Sequence, residues 1–377
     1  MTNITPLPPP KKSETQNFDS IFSDICAEAQ KHQALNILSD IAESRDERPV
    51  VLYGAGGNCF WGFHFCAENG IKVACVCDSF KIGTYFHRGK QYKLISPDAL
   101  LRDYPDARIL ITSWQLESEI KQSLLELGIA ESNIYSLSLI SQNEFAAKYL
   151  EGYRWAWKYF DEHSCGKVLE LARRHLCGVP VKADSLYKDG YWAWPGIELG
   201  SEEVFVDGGA YNGNTVHDFM NVVGGRYRAI YAFEPDGENY RAAVNDCSAS
   251  NLYLFNKGLW STETELRFNA QNSGISKFTD SGEQIISVTS IDAVFAGKHD
   301  DELPTLIKMD IEGAEKEALL GASETIRRKK PKLAISVYHK PEDIYELPQT
   351  ILKLRDDYRL SLWQIGENLT DTILYAI

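Results

Sequence analysis

Apolar positions first recur at helical spacing, with Ile21, Phe22, Ile25 and Cys26 on one stripe and Leu35, Leu38, Ile41 and Ala42 on a second. This predicts helix from Phe18 to about Ser44. The pattern then changes to short apolar runs closed by turn residues. Val50–Tyr53, Ile71–Cys77, Arg108–Thr112 and Ile134–Leu137 read as strands. Helical stretches separate them: Trp61–Asn69, and Glu117–Leu127 stopped by Gly128. Strand and helix in alternation imply a parallel, Rossmann-like sheet. From Glu203 a second alternation begins, with strands expected at Val204–Val206, Ala229–Phe233, Leu252–Phe255, Thr305–Met309, Lys332–Val337, Arg359–Trp363 and Thr372–Ile377. Extra β-like pieces fall near Glu265–Phe268 and Ile285–Val288. The last two runs are close in sequence and predict an antiparallel pair at one edge of a mixed sheet.

The chain thus reads as α/β throughout, with two units. Residues 18–140 form an N-terminal helix and Rossmann-like domain, and residues 201–377 a second α/β domain. Between them, residues 141–200 are rich in aromatics, among them Tyr153, Trp155, Trp157, Tyr191, Trp192 and Trp194. Their first group suggests a helical linker. Their second lies in a loop before Pro195 and suits an interface or a stacking wall for a sugar ring. Residues 1–17 are polar and proline-rich without an apolar signal core, and read as a disordered tail.

Composition adds exclusions. A net charge of −14 over 377 residues argues against a nucleic-acid or anionic-membrane partner. The basic run Arg327–Lys330 is expected at a helix C-terminus, where it complements the dipole. No apolar run is long enough to cross a bilayer, so no membrane insertion is expected. Eight cysteines without a Cys-x-x-Cys pair read as buried free thiols, and with them the expected location is cytoplasmic. A homo-oligomer is compatible with this composition.

Candidate chemistry concentrates at strand ends. Val204-Phe-Val-Asp-Gly-Gly-Ala-Tyr-Asn-Gly-Asn-Thr215 is an apolar strand running into Asp207, then Gly208, Gly209 and Gly213. Such a turn lets backbone approach a nucleotide-like ligand closely. Tyr211 and Asn214 can add contacts. One strand–helix–strand unit further on, Ala229-Ile-Tyr-Ala-Phe-Glu234 ends in an acid able to accept from both hydroxyls of a ribose. Nothing here prepares for a pyrophosphate. An adenosine lacking phosphates is the simplest ligand, which points to S-adenosylmethionine as cofactor, with Asp207 facing its α-amino group.

Two further strand ends should open on the same cleft. Leu306-Ile-Lys-Met-Asp310 brings Asp310, followed by Glu312 and Glu315; Leu333-Ala-Ile-Ser-Val-Tyr-His339 brings a histidine. His339 is the expected base for an acceptor hydroxyl, with Asp310 orienting it or the acceptor. Asp310 and its acidic neighbours can alternatively hold Mg²⁺ against the acceptor oxygen. In the first unit, Gly54 and Gly56 with Asp78 form a candidate second nucleotide site, although Cys59 replaces the third glycine of the dinucleotide fingerprint. A nicotinamide oxidoreductase or a sugar-nucleotide-binding scaffold centred on that turn is the rival to methyl transfer.

Four stretches occur together and in order: Val204–Gly213, Tyr231-Ala-Phe-Glu-Pro235, Ile307-Lys-Met-Asp-Ile-Glu-Gly-Ala-Glu315 and Ser336-Val-Tyr-His-Lys-Pro341. With them the segment from Glu203 to Ile377 resembles the FkbM-type S-adenosylmethionine-dependent methyltransferases. The resemblance implies a class I methyltransferase fold and methyl transfer to a hydroxyl oxygen of a sugar, a glycan precursor or a related small molecule. It implies cofactor roles for Asp207, Gly209, Gly213 and Glu234, and a cleft position for Asp310. The segment from Pro49 to Leu137 resembles the nucleotide-binding-type Rossmann modules attached to sugar-modifying enzymes.

Overall fold

The computed structural model describes residues 18–32, 41, 48–56, 59–87, 89–113, 116–136, 142–177, 181–185, 187–247, 249–269, 277–278, 284–366 and 371–377. The tail at 1–17 and most of the segment 269–283 lie outside these residues. Contacts divide the chain into two units, Asn17–Lys148 with Leu171–Pro180, and Tyr149–Glu170 with Val181–Ile377.

The first unit carries six strands: β1 (Val50–Tyr53), β2 (Val73–Cys77), β3 (Gly83–His87), β4 (Lys90–Ile95), β5 (Arg108–Ile111) and β6 (Ile134–Ser136). Their order is β3-β4-β2-β1-β5-β6. All neighbours pair in parallel except the β3–β4 hairpin. The expected parallel core is therefore present, and β3 and β4 extend it at one edge. Their mostly exposed or half-exposed side chains leave no apolar run to mark them. All eight cysteines are free, and seven are buried. Cys75 and Cys77 share one core cluster, as strand alternation requires. Burial pushes the Cys77 thiol up to about 12, which keeps it unreactive.

The second unit is built on β7 (Val204–Gly208), β8 (Ala229–Phe233), β9 (Leu252–Phe255), β10 (Gly258–Leu259), β11 (Thr264–Asn269), β12 (Lys277–Phe278), β13 (Gln284–Thr289), β14 (Leu306–Met309), β15 (Lys332–Ser336), β16 (Leu360–Gln364) and β17 (Thr372–Ala376). Seven of these form one sheet in the order β16-β17-β15-β14-β7-β8-β9. β17 runs antiparallel to both neighbours, and the remaining pairs are parallel. The β-like pieces between the third and fourth strands form a separate small sheet, β10-β13-β11-β12. Fully buried strands β7 and β14 explain the continuous apolar runs in their sequences.

The aromatic segment mainly fills cores. Trp192 packs edge-on to Phe205 and Phe219, at 5.5 and 5.9 Å between centroids. Trp194 stacks on Tyr375 at 4.6 Å. Among the described residues no helix is long and apolar enough to cross a membrane.

Candidate functional site

The C-terminal ends of β7, β8, β14 and β15 carry the site. After β7 the chain turns through three left-handed positions, Gly209 (φ 74°), Tyr211 (φ 49°) and Gly213 (φ 92°). Gly209 and Ala210 donate to the Phe233 carbonyl at 3.0 Å each, which ties the turn to β8. A Cβ on Gly209 would stand 1.9 Å from the Asp310 carbonyl oxygen, so only glycine lets the turn and the end of β14 meet. Asn214 opens the following helix, Asn214–Val222.

Glu234 closes β8 with only 7% of its surface exposed. Its Oε2 accepts from the Tyr211 N–H and its Oε1 from the Asp236 N–H, each at 2.9 Å. A carboxylate offers about four acceptor positions, so two remain for a ligand. Burial pushes its pKa up to about 7; the two backbone donors and Lys308 oppose that rise, and Asp236 adds to it.

Asp207 is fully buried, and it does not face the cleft as the sequence suggested. Sheet register sets Lys308 of β14 opposite it. The Lys308 Nζ lies 3.0 Å from Asp207 Oδ1 and also donates to the carbonyls of Gly208 and Gly209 at 3.1 and 2.9 Å. Asp207 and Lys308 therefore hold the glycine turn from beneath. Burial keeps the Asp207 carboxyl above its ordinary range, with Lys308 opposing.

Asp310 follows the last residue of β14 and is 23% exposed at its side chain. Tyr191 donates to its Oδ2 at 2.7 Å, and the Tyr338 hydroxyl lies 2.9 and 3.1 Å from its two oxygens. Burial and the Asp310 charge raise both phenols well above their usual range, so they stay donors. Burial would raise the Asp310 pKa, but His339, Lys308 and the two phenols outweigh it and hold the carboxyl low.

His339 stands behind Asp310, its side chain 5% exposed. Nε2 is 3.4 Å from Asp310 Oδ1 and 3.5 Å from Glu312 Oε2, and Nδ1 is 3.2 Å from Glu315 Oε1. In this arrangement both ring nitrogens point at carboxylates, and neither is open to an acceptor hydroxyl as the expected base would be. Burial lowers the imidazole pKa, but Glu315, Asp310 and Glu312 outweigh that and set it at about 10. Glu315, the first residue of the helix Glu315–Leu320, also accepts the Ile311 N–H at 2.9 Å, which ties the loop after β14 to the helix start.

Lys308, Tyr191 and Tyr338 are site residues that sequence reasoning missed. The one available signal was a lysine inside an otherwise apolar strand, since a charge there needs a partner.

In the first unit, Asp78 Oδ2 accepts the Ala55 N–H at 2.7 Å, while Oδ1 accepts those of Phe80 and Lys81 at 2.9 and 3.0 Å. Gly54 (φ 112°) sits beside Thr112, and a Cβ on Gly56 would meet open space. The turn and its acid come together as expected, with three backbone donors already on the carboxylate.

Residues 207–360 match the family described as Methyltransferase FkbM domain. The fold is similar to that of the methyltransferase FkbM from Methylobacillus flagellatus KT, at 22% identity, over 95% of this chain and 99% of that one, with a TM-score of 0.64. Aeropyrum pernix fibrillarin, solved with natively bound S-adenosyl-L-methionine, aligns at 12% identity over 48% of this chain and 70% of its own, with a TM-score of 0.32. No curated protein matches the chain. The family match over residues 207–360 spans the second to fourth strand-end motifs and most of the seven-stranded sheet, so that this part of the chain is similar to a methyltransferase FkbM domain.

Proposed function

We propose that the C-terminal unit transfers a methyl group from S-adenosylmethionine to a hydroxyl of a sugar, glycan precursor or related small molecule. The observation that carries the donor assignment is Glu234, a buried carboxylate fixed by the backbone of the glycine turn and retaining acceptor positions for a ribose. The FkbM match supports methyl transfer, and the acceptor class follows from the resemblance. In the reaction the acceptor oxygen forms a C–O bond to the methyl carbon as the S–C bond breaks. The bonding pair stays on sulfur, and the hydroxyl proton passes to a protein group. The sulfonium already activates the methyl, so most of the rate comes from holding oxygen, carbon and sulfur in line. Asp310, steered by Tyr191 and Tyr338, is the group proposed to orient the acceptor and receive its proton, with His339 positioning Asp310.

Calorimetric titration with S-adenosylhomocysteine, beside NADH in a parallel run, tests the donor site. Micromolar binding of the former is expected. Binding of NADH alone would move the chemistry to the Gly54–Asp78 turn. Asp310→Asn is expected to lower turnover by about 10²-fold or more while leaving S-adenosylhomocysteine affinity near that of the wild type. Unchanged turnover would remove Asp310 from the mechanism.

Donor affinity should also depend on pH. Ribose hydroxyls donate to the ionised carboxylate, and the free protein ionises Glu234 only near pH 7. Binding then releases a proton, so affinity rises about tenfold between pH 6 and 8. Glu234→Gln should flatten the profile. Without ligand the same shift opposes folding. The pKa is raised on folding, so the folded state binds more protons between the ordinary value of 4.5 and about 7, and stability falls as pH rises through that window.

A further inference from the structure

We infer that the ring of Tyr211 forms a wall of the donor pocket, lying against S-adenosylmethionine bound at the glycine turn. The inference rests on the donor assignment above and adds to it a side chain whose place in the turn the fold alone does not explain. The Gly213 N–H donates to the Ala210 carbonyl at 2.8 Å, so residues 210–213 form a tight turn with Tyr211 and Asn212 at its centre. Tyr211 takes φ 49° there, a conformation that such turns ordinarily fill with glycine, asparagine or aspartate. A bulky side chain in that conformation is strained. Glycine stands on either side where neighbours demand it. Gly209 meets the Asp310 carbonyl, and a Cβ on Gly213 would stand 2.3 Å from Cys247 Sγ.

Four other described residues that are not glycine are left-handed, and residue type, place or contact accounts for them. Asn251 and Asp371 are types that tolerate the conformation. Lys330 ends the helix Ser323–Lys329, and Glu312 brings its carboxylate to 3.5 Å from His339 Nε2. Tyr211 differs. Among the described residues its ring stacks on no other ring and its hydroxyl makes no hydrogen bond, and the residue is 49% exposed. The ring therefore adds nothing to the fold that offsets the strain, and it leaves apolar surface in water. Strain of this kind persists where surrounding contacts hold it in place and a function uses it. Here the Tyr211 N–H donates to Glu234 Oε2 at 2.9 Å, and the preceding N–H groups of Gly209 and Ala210 are tied to the Phe233 carbonyl. The residue that carries the ring is thus fixed by the carboxylate proposed to hold the donor ribose. A tyrosine anchored there is long enough to lie against whatever Glu234 binds. Covering its ring with ligand removes apolar area from water on binding, at little loss of side-chain freedom.

The test uses the full chain and three variants, Tyr211→Gly, Tyr211→Asn and Tyr211→Phe, read by calorimetry with S-adenosylhomocysteine and by thermal unfolding without ligand. The glycine and asparagine variants both suit the left-handed turn and lack the ring. Each is expected to bind S-adenosylhomocysteine about 10–100-fold more weakly than the wild type. Each should nevertheless unfold no lower than the wild type, and up to about 2–4 °C higher, because the strain is relieved. The phenylalanine variant keeps the ring and should keep the affinity. Hydroxyl-radical footprinting of the wild type gives a direct reading: oxidation of Tyr211 should fall when S-adenosylhomocysteine saturates the protein. Wild-type affinity in both ringless variants overturns the inference, as does unchanged oxidation of Tyr211 at saturation. A clear drop in their unfolding temperature also overturns it, since the ring would then serve the fold. A wild-type protein that binds no S-adenosylhomocysteine removes the donor assignment itself, and this inference with it.

Discussion

Glu234→Ala is expected to weaken S-adenosylhomocysteine binding by about 10²–10³-fold. Two effects combine. The ligand loses two hydrogen bonds to a charged acceptor, each contributing about 1.5–3 kcal/mol. The protein loses the group that accepts the Tyr211 and Asp236 N–H bonds, so the glycine turn is no longer held in its binding geometry. Glu234→Gln keeps the side-chain volume and one acceptor oxygen, and its loss should be smaller, about tenfold. Calorimetry on the two variants separates the contributions. Wild-type affinity in the alanine variant would place the donor elsewhere.

The second large effect is on stability. Lys308→Met removes the cation from beside a carboxylate with no exposed surface, and is expected to cost about 3–5 kcal/mol. Asp207→Asn combined with Lys308→Met removes both charges and should recover much of that loss, because the penalty is chiefly that of a buried charge left alone. Denaturant unfolding of the wild type, the single variant and the double variant reads it directly. An equally large loss in both variants would show instead that Lys308 acts mainly through the carbonyls of Gly208 and Gly209.

Much of this arrangement was legible in the sequence because apolar strands ending in acids are local signals. Asp310, Glu234 and the glycine turn were read from runs of a few residues, and the closing antiparallel pair followed from the short spacing between Trp363 and Thr372. What stayed hidden depends on pairing between distant segments. Lys308 looked like an interruption of a strand until register set it opposite Asp207. Tyr191 was one aromatic among many in its loop, and its role arises from a hydrogen bond spanning 119 positions. His339 follows β15 as its sequence implies, but its surroundings come from Glu312 and Glu315 on a neighbouring segment, and they decide which way its nitrogens face. The β3–β4 hairpin escaped because its half-exposed strands bury too little to leave a pattern.

The absent side chain of Gly209 has a mechanical consequence. The backbone of the turn packs directly against the Asp310 carbonyl, with no room for a side chain between them. The glycine turn and the residue after β14 therefore touch backbone to backbone, and on the proposed assignment they are the segments that hold donor and acceptor. Under that assignment a ligand that tightens either segment is expected to tighten both, so donor and acceptor should raise each other's affinity.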